Sequence, residues 1–363
     1  MMKHIHTFIL LSAISWLWVT PACGQLKYYN ADAFPLYGKI SEQTETRYER
    51  LPAALRNVSR PPVWVLGKNT AGLFLRFRTN STTIGLTWSL YENHIMSHMA
   101  LTGIKGFDLY CYENDGWRFV NSAQPAANAM DNTTLVIVNM DDREKEMMLY
   151  FPLYDGVTAL QIGIDSTATI APPAIATPMR EKPVICYGTS ILQGGCASRP
   201  GMVHTSILSR RFNREFINLG FSSNGQLDYE IAELIASREA ALIILDFVPN
   251  ASVQQMQERM EKFYSIIRTK QPLTPILFVE DPPFPSGKYN RMLQREIEDK
   301  NTTVREICDR IKAQGDTHIE FIPQGDIIGT DNEATVDGVH FTDLGFMRYA
   351  DYLEPYVEKY VKK

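Results

Sequence analysis

The sequence predicts an α/β protein: a flavodoxin-like α/β/α layer on a five-stranded parallel sheet, preceded by an antiparallel, jelly-roll-like β-sandwich. Three observations carry this reading. Apolar residues alternate with period two from about Leu26 to Thr177. After Pro183 they gather into short unbroken runs with helically spaced segments between them. A proline-rich stretch, Ile170-Ala171-Pro172-Pro173 to Pro178, separates the two patterns. The expected organisation is a signal segment over 1–24, a sandwich over 25–177, a linker over 178–182 and the α/β domain over 183–363.

The first 24 residues carry one early cation, Lys3, an apolar core from Phe8 to Val19, and small residues at Ala22 and Gly24. That pattern is a secretory signal with cleavage after Gly24, and its core is too short to span a bilayer. Lipidation at Cys23 is the weaker alternative, because Thr20-Pro21-Ala22 is a poor lipid-attachment context. The expected location is therefore the periplasm or the outside of the cell. Of 363 residues, 45% are hydrophobic and 21% charged, the composition of an ordinary globular chain. Net charge is −5 and becomes −6 once Lys3 is removed. A mildly acidic chain without a basic cluster offers no electrostatic footprint for nucleic acid.

In the sandwich, Leu73, Leu75 and Phe77 alternate with Phe74, Arg76 and Arg78, and Ile84, Leu86, Trp88 and Leu90 alternate with Gly85, Thr87 and Ser89. Phe107, Leu109 and Cys111 run through the turn Asn114-Asp115-Gly116 into Trp117 and Phe119. Leu149, Phe151 and Leu153 run through Tyr154-Asp155-Gly156 into Leu160, Ile162 and Ile164. Both read as hairpins. No helical pattern interrupts them. In the second half, strands are expected at Val184–Tyr187, Phe216–Leu219, Ala241–Phe247, Ile276–Glu280 and Ile319–Ile322. The stripes Val253, Met256, Met260, Phe263, Ile267, then Val304, Ile307, Cys308, Ile311, then Phe346, Ala350, Leu353, Val357, Tyr360 are core-facing helix sides.

Open parallel sheets bind ligands beyond the carboxyl ends of their strands. The residues there are Thr189 and Ser190 after strand one, Gly220 to Gly225 after strand two, Pro249-Asn250 after strand three, Glu280-Asp281 after strand four, and Asp337 and His340 after strand five. A serine needs a base within hydrogen-bond reach, and that base needs an orienting acceptor. Ser190, His340 and Asp337 supply those types, with amide donors nearby for an oxyanion. Asp281 before two prolines reads as a loop residue or site wall, His98 as a surface histidine with reach into the cleft from the sandwich half as the alternative, and Asp108 as a structural strand residue. Four cysteines remain after cleavage, Cys111, Cys186, Cys196 and Cys308, and none has the spacing of a metal site. Cys186 reads as a buried thiol, with a Cys186–Cys196 disulfide as the alternative. No metal or organic cofactor is called for, and the octet from Gly188 to Gly195 lacks the glycine spacing of a dinucleotide site.

At these residues the chain resembles the SGNH (GDSL-type) hydrolases, over roughly Pro183 to the end. It is most similar to the branch reading Tyr187-Gly188-Thr189-Ser190-Ile191, then Gly194 to Gly201, then Val336-Asp337-Gly338-Val339-His340, whose members carry an N-terminal domain marked Gly106-Phe107-Asp108-Leu109-Tyr110. The resemblance implies Ser190 as nucleophile, His340 as general base and acid, and Asp337 as its orienter. It implies an oxyanion hole from the Ser190 N–H, the Ser223 N–H (Gly220 as fallback) and the Asn250 amide. Two departures stand out: Thr189 replaces the family's aspartate, and Ser223 occupies a position that is normally glycine. The implied activity is that of a secreted esterase removing short acyl groups, such as acetyl, from carbohydrate. Its expected partner is a small-molecule or polysaccharide ester. A lipid or phospholipid acyl esterase is the competing enzyme reading, and a glycan-binding protein with a decayed hydrolase half is the non-enzymatic one.

Overall fold

The computed structural model describes residues 25–175 and 182–362. The expected signal segment, Cys23 and residues 178–181 of the expected linker lie outside the described residues. The N-terminal half contains strands β1 (Leu26–Asn30), β2 (Leu36–Tyr37), β3 (Phe74–Thr79), β4 (Ile84–Leu90), β5 (Phe107–Glu113), β6 (Gly116–Ala123), β7 (Asp131–Ile137), β8 (Lys145–Tyr150), β9 (Val157–Asp165) and β10 (Ile170–Ala171). They form two antiparallel sheets, β1-β9-β4-β7 and β10-β3-β8-β5-β6, with β2 beside β3. The expected alternation holds. Leu75, Phe77, Leu86, Trp88, Leu109, Leu149, Ile162 and Ile164 point between the sheets and are buried together. This is an antiparallel β-sandwich.

Three expectations for this half are corrected. Tyr154-Asp155-Gly156 is not a hairpin turn, because β8 and β9 lie in different sheets. Asp155 is buried there and accepts the N–H groups of Glu92, His94 and Gly156, so it organises a crossing between the layers. Two short helices, α1 (Pro61–Leu66) and α2 (Leu101–Lys105), interrupt the strands. At five or six residues they are too short for a helical period to register. The residues that alternate outward on β3 are also covered. Phe74 packs with Tyr110, Trp117, Met148 and Tyr150 in a second apolar patch on the outer face.

The second half contains β11 (Val184–Gly188), α3 (Ser190–Gln193), α4 (His204–Phe212), β12 (Phe216–Gly220), α5 (Tyr229–Ser237), β13 (Leu242–Asp246), α6 (Val253–Lys270), β14 (Ile276–Val279), α7 (Arg291–Ala313), β15 (Ile319–Ile322) and α8 (Asp343–Glu358). The strands pair in parallel in the order β12-β11-β13-β14-β15. Every residue of β11, β12, β13 and β14 is buried, as two covered faces require. One core layer takes Ile207, Leu208 and Phe212 of α4 with Phe346, Ala350 and Leu353 of α8. The opposite layer takes Ile231 and Ile235 of α5, Met256, Met260 and Phe263 of α6, and Val304 and Ile307 of α7. The fold is thus an α/β/α layer on a parallel five-stranded sheet. Cys111, Cys186, Cys196 and Cys308 are all buried free thiols, so the disulfide alternative does not hold.

The two halves share their cores. Ala71, Ile104 and Leu153 join the α4/α8 layer, and Ile40, Leu51 and Val63 join the other. Asp108, fully buried, takes the Arg199 guanidinium at 2.9 Å, the Ser122 hydroxyl at 2.7 Å and the Gly201 N–H at 2.8 Å. Its structural role is therefore to bind the other domain. Arg199 also donates to the Tyr110 hydroxyl and stacks 3.7 Å from the Phe119 ring. Arg50 is 1% exposed and donates to the carbonyls of Leu66 and Asn69 in its own half and of Asn218 and Gly220 at the end of β12. Arg50→Met keeps the bulk but removes a hydrogen-bond donor from each of four carbonyls, of which Leu66 keeps the Asn69 N–H. It is expected to lower stability by about 3 kcal/mol, read as a fall in the urea midpoint of a single unfolding transition.

Candidate active site

The site forms where β11 ends. Thr189 caps α3, its hydroxyl accepting the Ile191 N–H at 3.2 Å. A threonine satisfies that cap without burying a carboxylate, which accounts for its presence where the wider family has aspartate. Ser190 is then the first helical residue, and N–H groups at that position have no acceptor inside their own helix. Its carbonyl is held by the Gly195 N–H at 2.8 Å and the Tyr154 hydroxyl at 3.1 Å.

The loop before α8 is folded by its own sequence. Val336 N–H donates to the His340 carbonyl, closing a tight turn in which Gly338 has φ +90°. Asp337 Oδ1 accepts the N–H groups of Val339 and His340 at 3.0 and 2.8 Å. Its Oδ2 lies 2.7 Å from His340 Nδ1. Burial alone raises the Asp337 carboxyl, but hydrogen bonds from the His340 ring and from these two N–H groups outweigh it and hold it at about 2. Asp337 is therefore ionised at neutral pH and fixes the proton of the neutral ring on Nδ1. The other nitrogen, Nε2, stands 2.9 Å from Ser190 Oγ. The structure thus joins three residues, Ser190 lying 150 positions from His340, in one continuous hydrogen-bonded chain. That chain can pass a proton from a hydroxyl to an imidazole beside a fixed negative charge.

The expected amide donors divide. Asn250 accepts the Gly225 N–H through Oδ1 at 3.2 Å, which orients its amide, and Nδ2 has no acceptor among the described residues. Gly225 in turn packs against the Gly188 carbonyl. Ser223 is the third residue of the turn closed by the Asn224 N–H on the Phe221 carbonyl, and it has φ +58°. That is a conformation natural to glycine, which serine adopts at about 1 kcal/mol. It is exposed, and its N–H has no acceptor among the described residues. Gly220 fails as a fallback because its N–H already donates to Asn218 Oδ1 at 2.9 Å. Asp281 is 2% exposed, so it walls no cleft.

Of the further residues here, Gln193 and Gly195 escaped the sequence reading. The His98 ring, from the segment between β4 and α2, is exposed and lies 5.7 Å from the His340 ring, so it reaches the cleft from the sandwich half. Gln193 ties the halves together, donating to Asn69 and Leu153 and accepting the Ser222 N–H. Gly195 sits under the relay: a Cβ there meets His340 Cδ2 at 2.9 Å and Tyr154 Oη at 3.0 Å. Its place in the Gly194-Gly195-Cys196 run was the only available signal. A cavity of about 560 Å³ adjoins Tyr154 and Ser222 and is lined also by Pro61, Val65, Leu66, His94 and Met96. A larger one of about 890 Å³, between Ser252 and the start of α7, touches none of the three chain members.

A sequence model of the GDSL-like lipase/acylhydrolase family matches residues 181–358, and one for the N-terminal domain of SGNH-hydrolase-type esterases matches residues 26–170. The crystal structure of a candidate GDSL-like lipase from Bacteroides ovatus ATCC 8483 is 33% identical, with a TM-score of 0.89 over 93% of this chain and 98% of that one. The chain belongs to the GDSL-like lipase/acylhydrolase family. This hydrolase is an ester-cleaving enzyme, an acyl esterase, and the reading as a decayed binding protein is set aside. The salicylyl-acyltransferase SsfX3 from a tetracycline biosynthetic pathway shares the fold at 17% identity, with a TM-score of 0.72 over 90% of this chain and 95% of that one. So does a family two carbohydrate esterase from Clostridium thermocellum in complex with cellohexaose, at 12% identity and a TM-score of 0.58 over 80% and 92%. No curated protein matches the sequence significantly.

Two outcomes follow from the packing of the hydrolase. Gly195→Ala is expected to cut kcat about 10²-fold by pushing the His340 ring aside, with the urea midpoint nearly unchanged; full activity would mean the ring tolerates the methyl. Burial pushes the Asp281 carboxyl up to about 7, opposed by the Lys300 charge and reinforced by Asp246 and Glu296. Burial likewise holds Asp246 at about 6, against the hydrogen bond from Tyr349. Folding favours the neutral form of both, so their contribution is complete below the ordinary carboxylate range and is lost as pH rises through about 7. Asp281→Asn should therefore raise Tm more at pH 8 than at pH 4, and an equal change at both would contradict the burial argument.

Proposed function

We propose that this esterase is exported and removes short acyl groups, acetyl above all, from carbohydrate through a serine relay and an acyl-enzyme. The observation that carries the reading is the pair of hydrogen bonds, 2.9 Å from Ser190 to His340 and 2.7 Å from His340 to Asp337. Nε2 of His340 takes the Ser190 proton as Oγ attacks the ester carbonyl. The N–H groups of Ser190 and Ser223 and the Asn250 amide hold the resulting oxyanion. Collapse expels the alcohol, which leaves with the proton from His340. Water, deprotonated in turn by His340, releases the acid and restores Ser190. Asp337 stays ionised throughout and stabilises the imidazolium.

Carbohydrate as the alcohol is supported by architecture: the same pairing of sandwich and hydrolase layer occurs in the esterase solved with cellohexaose. Export is supported by the apolar N-terminal pattern, and no described helix is long and apolar enough to cross a membrane. A second reading, a lipid or other long-chain acyl esterase, is favoured by one feature. The cavity beside Tyr154 is lined by Pro61, Val65, Leu66 and Met96, more apolar surface than an acetyl group needs.

Rates across nitrophenyl esters from acetyl to palmitoyl, with acetate release from acetylated xylan, separate the two; a maximum at long chains would overturn the acetyl reading. Ser190→Ala is expected to abolish turnover and labelling by a fluorophosphonate. Asn250→Ala is expected to lower kcat by about 10²–10³, some 3–4 kcal/mol, with a stability loss of only about 1 kcal/mol from the lost Gly225 hydrogen bond. Unchanged kcat would remove the amide from the oxyanion site.

A further inference from the structure

Four side chains with metal-binding chemistry meet at the relay. One donor atom from each of His98, Cys196, Asp337 and His340 lies within 4.8 Å of the others. They come from separate places: the sandwich segment between β4 and α2, the turn after α3, and the loop before α8. Asp337 and His340 are engaged with each other, but His98 and the Cys196 thiol make no hydrogen bond among the described residues. Cys196 is also held at φ +71°, a conformation that residues with a Cβ adopt reluctantly. The Ser198 N–H, donating to Asp343 at the start of α8, pins this turn against the loop that carries the relay.

We propose that these four residues form a binding site for Zn²⁺ or a similar borderline-soft divalent cation, and that its occupation switches the esterase off. Two imidazoles, one thiolate and one carboxylate are a zinc donor set, and such an ion takes four of them tetrahedrally at about 2.0–2.3 Å. Donors around one ion then stand roughly 3–4 Å apart, so the cluster must tighten by about 1 Å. His98, exposed on its loop, is the member free to move. Magnesium and calcium want a shell of oxygens and find one carboxylate here. On binding, the Cys196 thiol releases its proton to water and the sulfur donates its electron pair to the ion.

Inhibition follows from where the ion sits. On Nε2 of His340 it displaces the Ser190 hydroxyl, and on Nδ1 it takes the place of the proton between the ring and Asp337, which moves to Nε2. Either way the serine loses its base. This consequence rests on the relay reading, whereas the binding itself does not.

The test begins with Co²⁺ titrated into the full chain. Tetrahedral d–d absorption and a thiolate-to-cobalt charge-transfer band are expected, both erased by Zn²⁺ and neither by Mg²⁺. Cys196→Ser should lose the charge-transfer band, and His98→Ala, a change at an exposed residue that the fold does not need, should weaken binding at least about tenfold. Zn²⁺ should inhibit nitrophenyl acetate hydrolysis, with the inhibitory concentration, read against each protein's own metal-free rate, raised about tenfold or more in both variants. No charge-transfer band in the unmodified chain, or identical zinc sensitivity in His98→Ala, overturns the site. A band that responds to both variants without any inhibition keeps the site and overturns the relay reading.

Discussion

Parallel, in-register pairing of β11 with its two neighbours is the constraint on which the rest depends. Gly188, Gly220 and Asp246 are partners at the carboxyl end of the sheet, so three chain segments leave the core at the same level. Each leads within a few residues to a polar group: Thr189-Ser190 after β11, Ser222 to Asn224 after β12, and Asn250 after β13. Because the strands are buried on both faces, a slip by one residue would exchange the side chains packed in the two core layers and carry the strand ends off their common level. The hydroxyl, the turn N–H groups and the amide inherit their common placement from that pairing.

The sandwich is part of the site as well as its neighbour. Tyr154 reaches across to the Ser190 carbonyl, Asn69 and Leu153 hold Gln193 beneath it, and His98 faces His340. The buried Arg50 and Asp108 contacts fix the two halves at hydrogen-bond precision. Close approach is permitted by small residues: a Cβ on Gly103 would sit 2.2 Å from the Ala197 carbonyl oxygen. The marker motif at Gly106 to Tyr110 thus has a mechanical meaning, since its aspartate grips the segment that follows the catalytic-domain helix α3.

Much of this was legible in the chain. Unbroken apolar runs located the five parallel strands to within a residue or two, because burial on both faces leaves no room for polar alternation. The candidate residues Ser190, Asp337, His340 and Asn250 stood out because strand-end positions and the Asp-Gly turn are local signals. Gly220 was misplaced as a donor because nothing local reveals that Asn218, two residues earlier, already takes its N–H. Tyr154-Asp155-Gly156 looked like a hairpin because a turn that crosses between sheets has the same residues as one that stays within a sheet.

The sequence by itself determined the two layers, their order and the chemical types at the sheet's edge, since these follow from periodicity and from turn chemistry within a few residues. Only the tertiary structure decided that His98 and Cys196 stand beside His340, that Gly195 makes room for its ring, and that Asp281 is buried. Those facts arise from contacts between segments up to 242 positions apart (His98 and His340), as their numbering shows. Packing geometry sets such contacts, and no pattern along a single stretch of chain encodes them.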